Sequence, residues 1–236
     1  GAAGARLIIF DIIFSDPDDD PRRDAAFIEA MKRAGNVLVA ADLKTWKQVS
    51  EGGSDVVEGH TLILPDDGIL DAAAGWGLAQ LNYEEDFMIR KHYAGELEDE
   101  RPSLSWLAAE MLGLSPPESG RTRWLRYYGE PLTVPFVSYE AALRGERSKD
   151  FFKDKVVFVG AKQQTTSYGD RKDEFGNPFL SREEAIRFMP AVEIHAPTLL
   201  NLMRGDYLNR FSSKAEWVIL FIVSLVFGSG MSRLRP

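Results

Sequence analysis

The sequence predicts an α/β fold: a three-layer sandwich on a mostly parallel sheet, followed by the start of a transmembrane helix. Three observations carry this. Continuous apolar runs at 7–10 (LIIF), 37–41 (VLVAA) and 156–160 (VVFVG) have the composition of strands covered on both faces. Segments between them place apolar residues at i, i+3, i+4 and i+7, the spacing of a helix lying on a sheet. From Trp217 the chain reads WVILFIVSLVFGSGMS, 16 residues without a charge.

Taken in order, LIIF forms the first buried strand, and the acidic stretch Ser15 to Asp20 is a loop. Asp20-Pro21 is an N-cap with proline at the first helical position. Phe27, Ala30, Met31 and Ala34 then line one helix face, and Gly35 stops the helix. Val37 to Ala41 is the second buried strand. Residues 42–60 are polar and form an exposed hairpin or loop. Leu62 to Pro65 leads to a short helix near Ile69–Ala74, and Gly75 to Asn82 is a strand entered through glycines. Met88 to Tyr93 is its expected partner. Leu104, Leu107, Ala108 and Met111 give another helix, closed by Gly113. Trp124 to Tyr128 is strand-like, and Ser138 to Arg144 is a short helix ending at Gly145. Val156 to Gly160 is the clearest buried strand of the second half. A long loop follows over 161–180. Val192 to Ala196 is apolar and leads into a helix through Met203, with His195 at its opening.

Composition narrows the function classes. The chain has 236 residues, 28 Lys+Arg against 36 Asp+Glu, and a net charge of −8. A nucleic-acid binder needs a basic face, so nucleic acid is not an expected partner. With no cysteine, disulfide scaffolds, thiolate metal sites and cysteine nucleophiles are excluded. The chain opens at Gly1 without an initiator Met or a signal peptide, as a trimmed fragment would. The terminal run is short against the roughly 20 residues of a bilayer helix. It is nonetheless apolar on every face, whereas a helix covering a soluble core keeps a polar stripe. The alternative is a buried terminal helix. Arg233 and Arg235 beyond the run place its far end in the cytoplasm by the positive-inside rule. The acidic domain then lies outside the cytoplasm.

In open parallel sheets, ligands bind at the carboxyl ends of strands. Asp11 follows the first strand, Asn82 the third, with Asp86 and Arg90 close behind. Asp170 lies in the loop after VVFVG. These residues are the expected lining of one polar crevice. The plainer alternative is that Asp11 caps a turn, Arg90 pairs with a neighbouring acid and Asp170 orders its loop. Asp16, Asp18 and Asp20 have calcium-loop spacing, but Pro21 and Phe27 occupy the positions that need Gly and Glu. His60, His92 and His195 lack metal-ligand spacing, so no metal is expected. Neither a phosphate loop nor a G-x-S-x-G elbow is present, and no catalytic residue or cofactor is assigned.

Several stretches together resemble the second type of CHASE domain, the cyclase- and histidine-kinase-associated sensory extracellular module. They are LIIFDIIFSDPD, DAAFIEAMKRAGNVLVAADL, LILPDDGILDAAAGWGLAQLNYEEDFMIRKHY, PSLSWLAAEMLG, WLRYYGEP, VPFVSYEAALRG, FFKDKVVFVGA and MPAVEIHAPTLLNLMRGDYL. They cover residues 5–210. Ala191 stands where the family usually carries glycine, and the family's upstream membrane helix and earlier strand do not precede LIIFD. The resemblance implies a non-enzymatic sensor over 1–210, with a transmembrane helix and cytoplasmic edge over 211–236. Such a sensor sits in the inner membrane of a bacterial signalling protein, facing the periplasm or exterior. Its output is an adenylate or guanylate cyclase, a histidine kinase or a similar module. Asp11, Arg90, Asp170 and His195 are the site candidates it supports. The expected partners are a small molecule, ion or protein signal and a second copy in a homodimer. The alternatives are a membrane-tethered periplasmic enzyme and an envelope protein-interaction module.

Overall fold

The computed structural model describes residues 3–49, 56–93, 102–115, 122–162, 173–179 and 188–233. The chain forms β1 (Leu7–Asp11), α1 (Pro21–Ala34), β2 (Val37–Val49), β3 (Val56–Ile63), α2 (Asp67–Ala72), β4 (Gly75–Leu78) and β5 (Lys91–Tyr93). It continues with α3 (Leu104–Met111), β6 (Thr122–Trp124), α4 (Tyr139–Leu143), β7 (Val156–Gly160), β8 (Glu174–Phe175) and β9 (Met189–Pro190). The last elements are α5 (Ala191–Arg204) and α6 (Ser213–Arg233).

The parallel sheet runs β4-β2-β1-β7. Each strand of the middle pair divides its side chains between two cores by simple alternation. Leu7, Ile9, Leu38 and Ala40 point to α3 and α5, where they meet Leu104, Ala108, Leu199 and Leu202. Ile8, Phe10, Val37 and Val39 point the other way, to Phe27 and Met31 of α1 and Ile69 of α2. Helix, sheet and helix thus make the three layers that the continuous apolar runs demand. Each fully buried Leu or Ile contributes about 1.5–3 kcal/mol. Asp20 caps α1 by accepting the Arg22 N–H at 3.1 Å. Gly35 ends that helix at φ 67°.

The sequence reading differs from the structure in several places. The hairpin alternative for residues 42–60 agrees with the structure over 42–49 and 56–60, but its strand is longer than read: beyond Ala41, β2 leaves β4 and pairs antiparallel with β3, Asp42 opposite Ile63 through Val49 opposite Val56. At roughly 3.3 Å per residue, β2 is about 40 Å long. The strand from Gly75 stops at Leu78. Lys91–Tyr93 pairs with β6, outside the main sheet. That small sheet takes only Thr122–Trp124. The strand β7 is half-buried rather than buried, because it is the last strand of the described sheet and only β1 flanks it. Residues 173–179, assigned to a loop, contain β8, which pairs with β9. Finally, α5 starts at Ala191, so the apolar run 192–196 is helix.

The terminal run is helical over 21 residues, starting before Trp217 and including Lys214 and Glu216. That gives a length of about 31 Å, a hydrocarbon-core thickness. Its window Ser213–Gly230 has a mean hydropathy of 1.4 and no part of it is buried. The helix is long and apolar enough to cross a membrane, and it shows no polar stripe of the kind a helix covering a soluble core keeps.

Candidate functional site

The first turn of α5 lies over the carboxyl ends of β1 and β7, and glycine makes the approach possible. A Cβ on Gly160 would stand 2.6 Å from Val192 Cβ and 3.2 Å from Asp11 Cβ. The same turn is held by two strained loops. Leu132 at φ 66° and Asp173 at φ 66° are left-handed residues other than glycine, which costs about 1–2 kcal/mol each. Leu132 and Val134 donate their N–H groups to the Glu193 carboxylate, at 2.8 and 3.3 Å. Ala191 N–H donates to Asp173 C=O at 3.0 Å. Stored strain of this kind gathers where a site must be held in shape.

Inside this frame Asp11 and His195 meet. His195 Nε2 is 3.5 Å from Asp11 Oδ1, with side chains only 3% and 8% exposed. The other ring nitrogen, Nδ1, is 3.3 Å from Ser105 Oγ of α3. Phe158 of β7 stacks on the ring at 6.3 Å. Ser105 Oγ also reaches the His195 carbonyl at 3.3 Å. The hydroxyl has a single proton. Given to Nδ1, it leaves the ring hydrogen on Nε2. Given to the carbonyl, it leaves the ring hydrogen of a neutral imidazole on Nδ1, donating to Ser105 Oγ, and Nε2 bare. Only the first arrangement sets a proton on Nε2 facing the carboxylate. Among the described residues, Asp11 Oδ2 and His195 Nε2 nevertheless have no hydrogen-bond partner. A buried carboxylate oxygen left open is costly, so it marks a place where something polar is to be received.

Ser, His and Asp in a row suggest a nucleophile and its base. The geometry refuses that role. Ser105 is 0% exposed and sits in the first turn of a core helix, so no substrate carbonyl reaches it.

His92 extends the polar line. Its Nε2 is 3.0 Å from Ser103 Oγ, the N-cap of α3. Burial, aided by the charges of His195 and Arg123, pulls its pKa down to about 3. It is therefore neutral. Asp173 keeps an exposed residue surface, yet loss of water around its carboxyl, and next the Asp11 charge, push it above the ordinary carboxylate range.

The structure brings together two of the residues expected in the crevice, Asp11 and His195. His195 lies one turn inside α5 rather than at its opening, because Pro190 is the N-cap. Asp86 and Arg90 form a different group: Arg90 grips Asp86 at 2.6 and 2.9 Å and Glu84 at 2.6 Å. Those carboxylates raise the Arg90 pKa further. Among the described residues, no hydrogen bond or ion pair joins this group to Asp11 and His195. Asn82 is exposed beside it. Asp170 lies outside the described residues. Ser105, Glu193 and Asp173 escaped sequence reasoning. Glu193 had one signal: a carboxylate in an otherwise apolar helix face.

From the site, α5 leads toward α6. Pro197 stands inside it and lacks the N–H that would bond the Glu193 carbonyl. One turn later Asn201, fully buried, accepts Arg126 N–H at 2.8 Å and donates to Arg126 C=O at 3.0 Å. The segment after α5 is pinned to the same strand region, Leu208 N–H to Trp124 C=O at 3.0 Å. Arg210 then pairs with Glu216 in the first turn of α6, at 2.7 Å.

Comparison with known families finds one model that matches, the CHASE2 domain, over residues 1–229. No curated protein and no solved structure matches the chain.

Proposed function

The chain belongs to the CHASE2 domain family, an extracellular sensory family, and from that premise we propose that it is the input domain of a membrane-bound signalling protein. The ligand enters at Asp11 and His195. The observation that carries this is a buried carboxylate oxygen and an imidazole nitrogen with no hydrogen-bond partner among the described residues, beside the carboxyl ends of parallel strands. A small ion or molecule with a donor for Asp11 completes the pair. The bias passes along α5 to α6, and the output is a cyclase, kinase or similar cytoplasmic module. A sensor of this kind works through differential affinity for two states. Pairing of two subunits gives the helices something to move against. Arg233, past the apolar run, supports a cytoplasmic far end, with the folded domain outside the inner membrane.

In the whole receptor, Asp11→Asn and His195→Gln should change output several-fold, with the receptor still folded and inserted. Normal signalling by both variants would remove the site. A thermal-shift screen supplies the ligand: a hundredfold excess over the dissociation constant stabilises by about 2.7 kcal/mol, and Asp11→Asn should abolish that shift.

A further inference from the structure

The segment that leads into α4 is built inside out. Glu193 draws the Leu132 and Val134 N–H groups inward, while Leu132, Val134 and Phe136 stay 37%, 39% and 57% exposed. Surface loops ordinarily do the reverse, giving polar groups to water and apolar ones to the core. Together with Val137, Ala141 of α4 and Phe151, these side chains wall an open groove of about 760 Å³. Its volume and its apolar, aromatic walls are those of a small-molecule site.

Two cations stand over the aromatic walls. Arg147 lies 5.4 Å from the Phe151 ring centroid, and Lys162 Nζ lies 4.6 Å from that of Phe136. Both residues are exposed, and among the described residues neither has a carboxylate partner. Glu146, the acid of the groove wall, faces Arg144 at 4.0 Å, and Glu140 also holds that arginine. Lys155, 4.8 Å from the Phe151 ring, gives its ammonium to the Phe151 carbonyl. The positive charge left for a ligand is therefore that of Arg147 and Lys162.

We propose that this groove binds a small organic carboxylate with an apolar body, at a site separate from Asp11 and His195. The apolar body covers Leu132, Val134 and Phe136 and frees the water over them. The carboxylate lies at the rim, where Arg147 offers a planar fork and Lys162 a point charge. A bare inorganic anion leaves the apolar walls wet, and a hydrocarbon leaves both cations idle. Only a ligand with both parts uses what the groove presents. Because its backbone is tied to Glu193 in the first turn of α5, an occupant also steadies the turn that carries His195.

The test titrates the 236-residue chain in phosphatidylcholine nanodiscs with phenylpropionate by calorimetry, with empty nanodiscs as the blank. Binding should be saturable. Phenylpropanol, the matching alcohol, should bind about tenfold or more weakly, the worth of one charge-assisted contact. Arg147→Gln with Lys162→Gln should weaken the acid by a similar factor and leave the alcohol nearly unchanged. At about ten times its dissociation constant, phenylpropionate should slow hydrogen exchange over residues 132–138 about tenfold. Amides of β1 and β2 report that the variant is folded. If it is not, the comparison of acid with alcohol on the unaltered chain decides. No saturable binding, or equal binding of acid and alcohol, overturns the proposal. So does acetate binding as tightly as phenylpropionate, which would make the two cations a free-anion site. Protection over 191–196 with none over 132–138 would move the ligand to Asp11 and His195, overturning the groove and leaving the proposed input site standing.

Discussion

Asp11 and His92 show what burial does to two polar residues of ordinary type. Buried neutral, His92 takes its proton only near pH 3, whereas an unfolded histidine takes it near 6.5. As pH falls below 6.5 the unfolded chain binds the proton first. Stability from this residue is therefore complete above 6.5 and drains away toward pH 3, by at most about 5 kcal/mol. In His92→Gln, the drop in Tm between pH 7 and pH 5 should shrink, and an unchanged drop would assign the acid sensitivity elsewhere. At the site, Asp11→Asn keeps an oxygen facing His195 Nε2 and nearly the same side-chain shape. Its stability should stay within about 1 kcal/mol of the parent. Asp11→Leu strands the imidazole and should cost about 3 kcal/mol or more by denaturant unfolding. Asp11 was legible in the sequence because a charge directly after LIIF sits where a strand must end. Ser105 was not, since a serine in a first helical turn reads as a cap and its partner lies 90 positions away.

Between elements, the decisive contacts are close approaches. Gly160 lets α5 rest on β7. Gly160→Ala should overpack that contact by about 1–3 kcal/mol, and circular dichroism melts would show it. Asn201→Leu leaves both backbone groups of Arg126 without their partner, a loss of about 1–3 kcal/mol for each group. It should also loosen exchange over 122–128 before global unfolding, and uniform loosening would argue that Asn201 only fills space. The elements with strong local signals were readable: the Asp20-Pro21 cap, the Gly35 stop and the continuous apolar runs of β1 and β2. The start of α5 was not, because Val192-Glu193-Ile194-His195-Ala196 alternates apolar and polar side chains as a strand does. Only the packing of Glu193 and His195 against partners from distant segments makes that run helical.

For the whole molecule, composition averages conceal a division of labour. The domain buries its polar line between sheet and helices, while α6 keeps a wholly exposed apolar surface. Phe221→Arg in the middle of α6 should cost about 3 kcal/mol in membrane insertion. A translocon insertion assay reads this as a fall in the inserted fraction, and unchanged insertion would place α6 elsewhere. The three layers were legible at this scale because buried parallel strands need cover on both faces. The hairpin arm of β2 and β3 was not distinguished from a loop, because polar residues predominate in its sequence over 42–60 with no sustained apolar run.

Pro197 gives α5 a missing rung between the turn that bears Glu193 and His195 and the turns that bear Asn201 and Arg204. A rod with one weakened joint is stiff along its axis and compliant in bending. Axial push at the ligand end therefore arrives at the far end undiminished, whereas sideways tilt is absorbed at the joint. Under the proposed function, the helix would act as a piston coupling rather than a lever, and receptors built on it should favour sliding over swinging of the helices they drive.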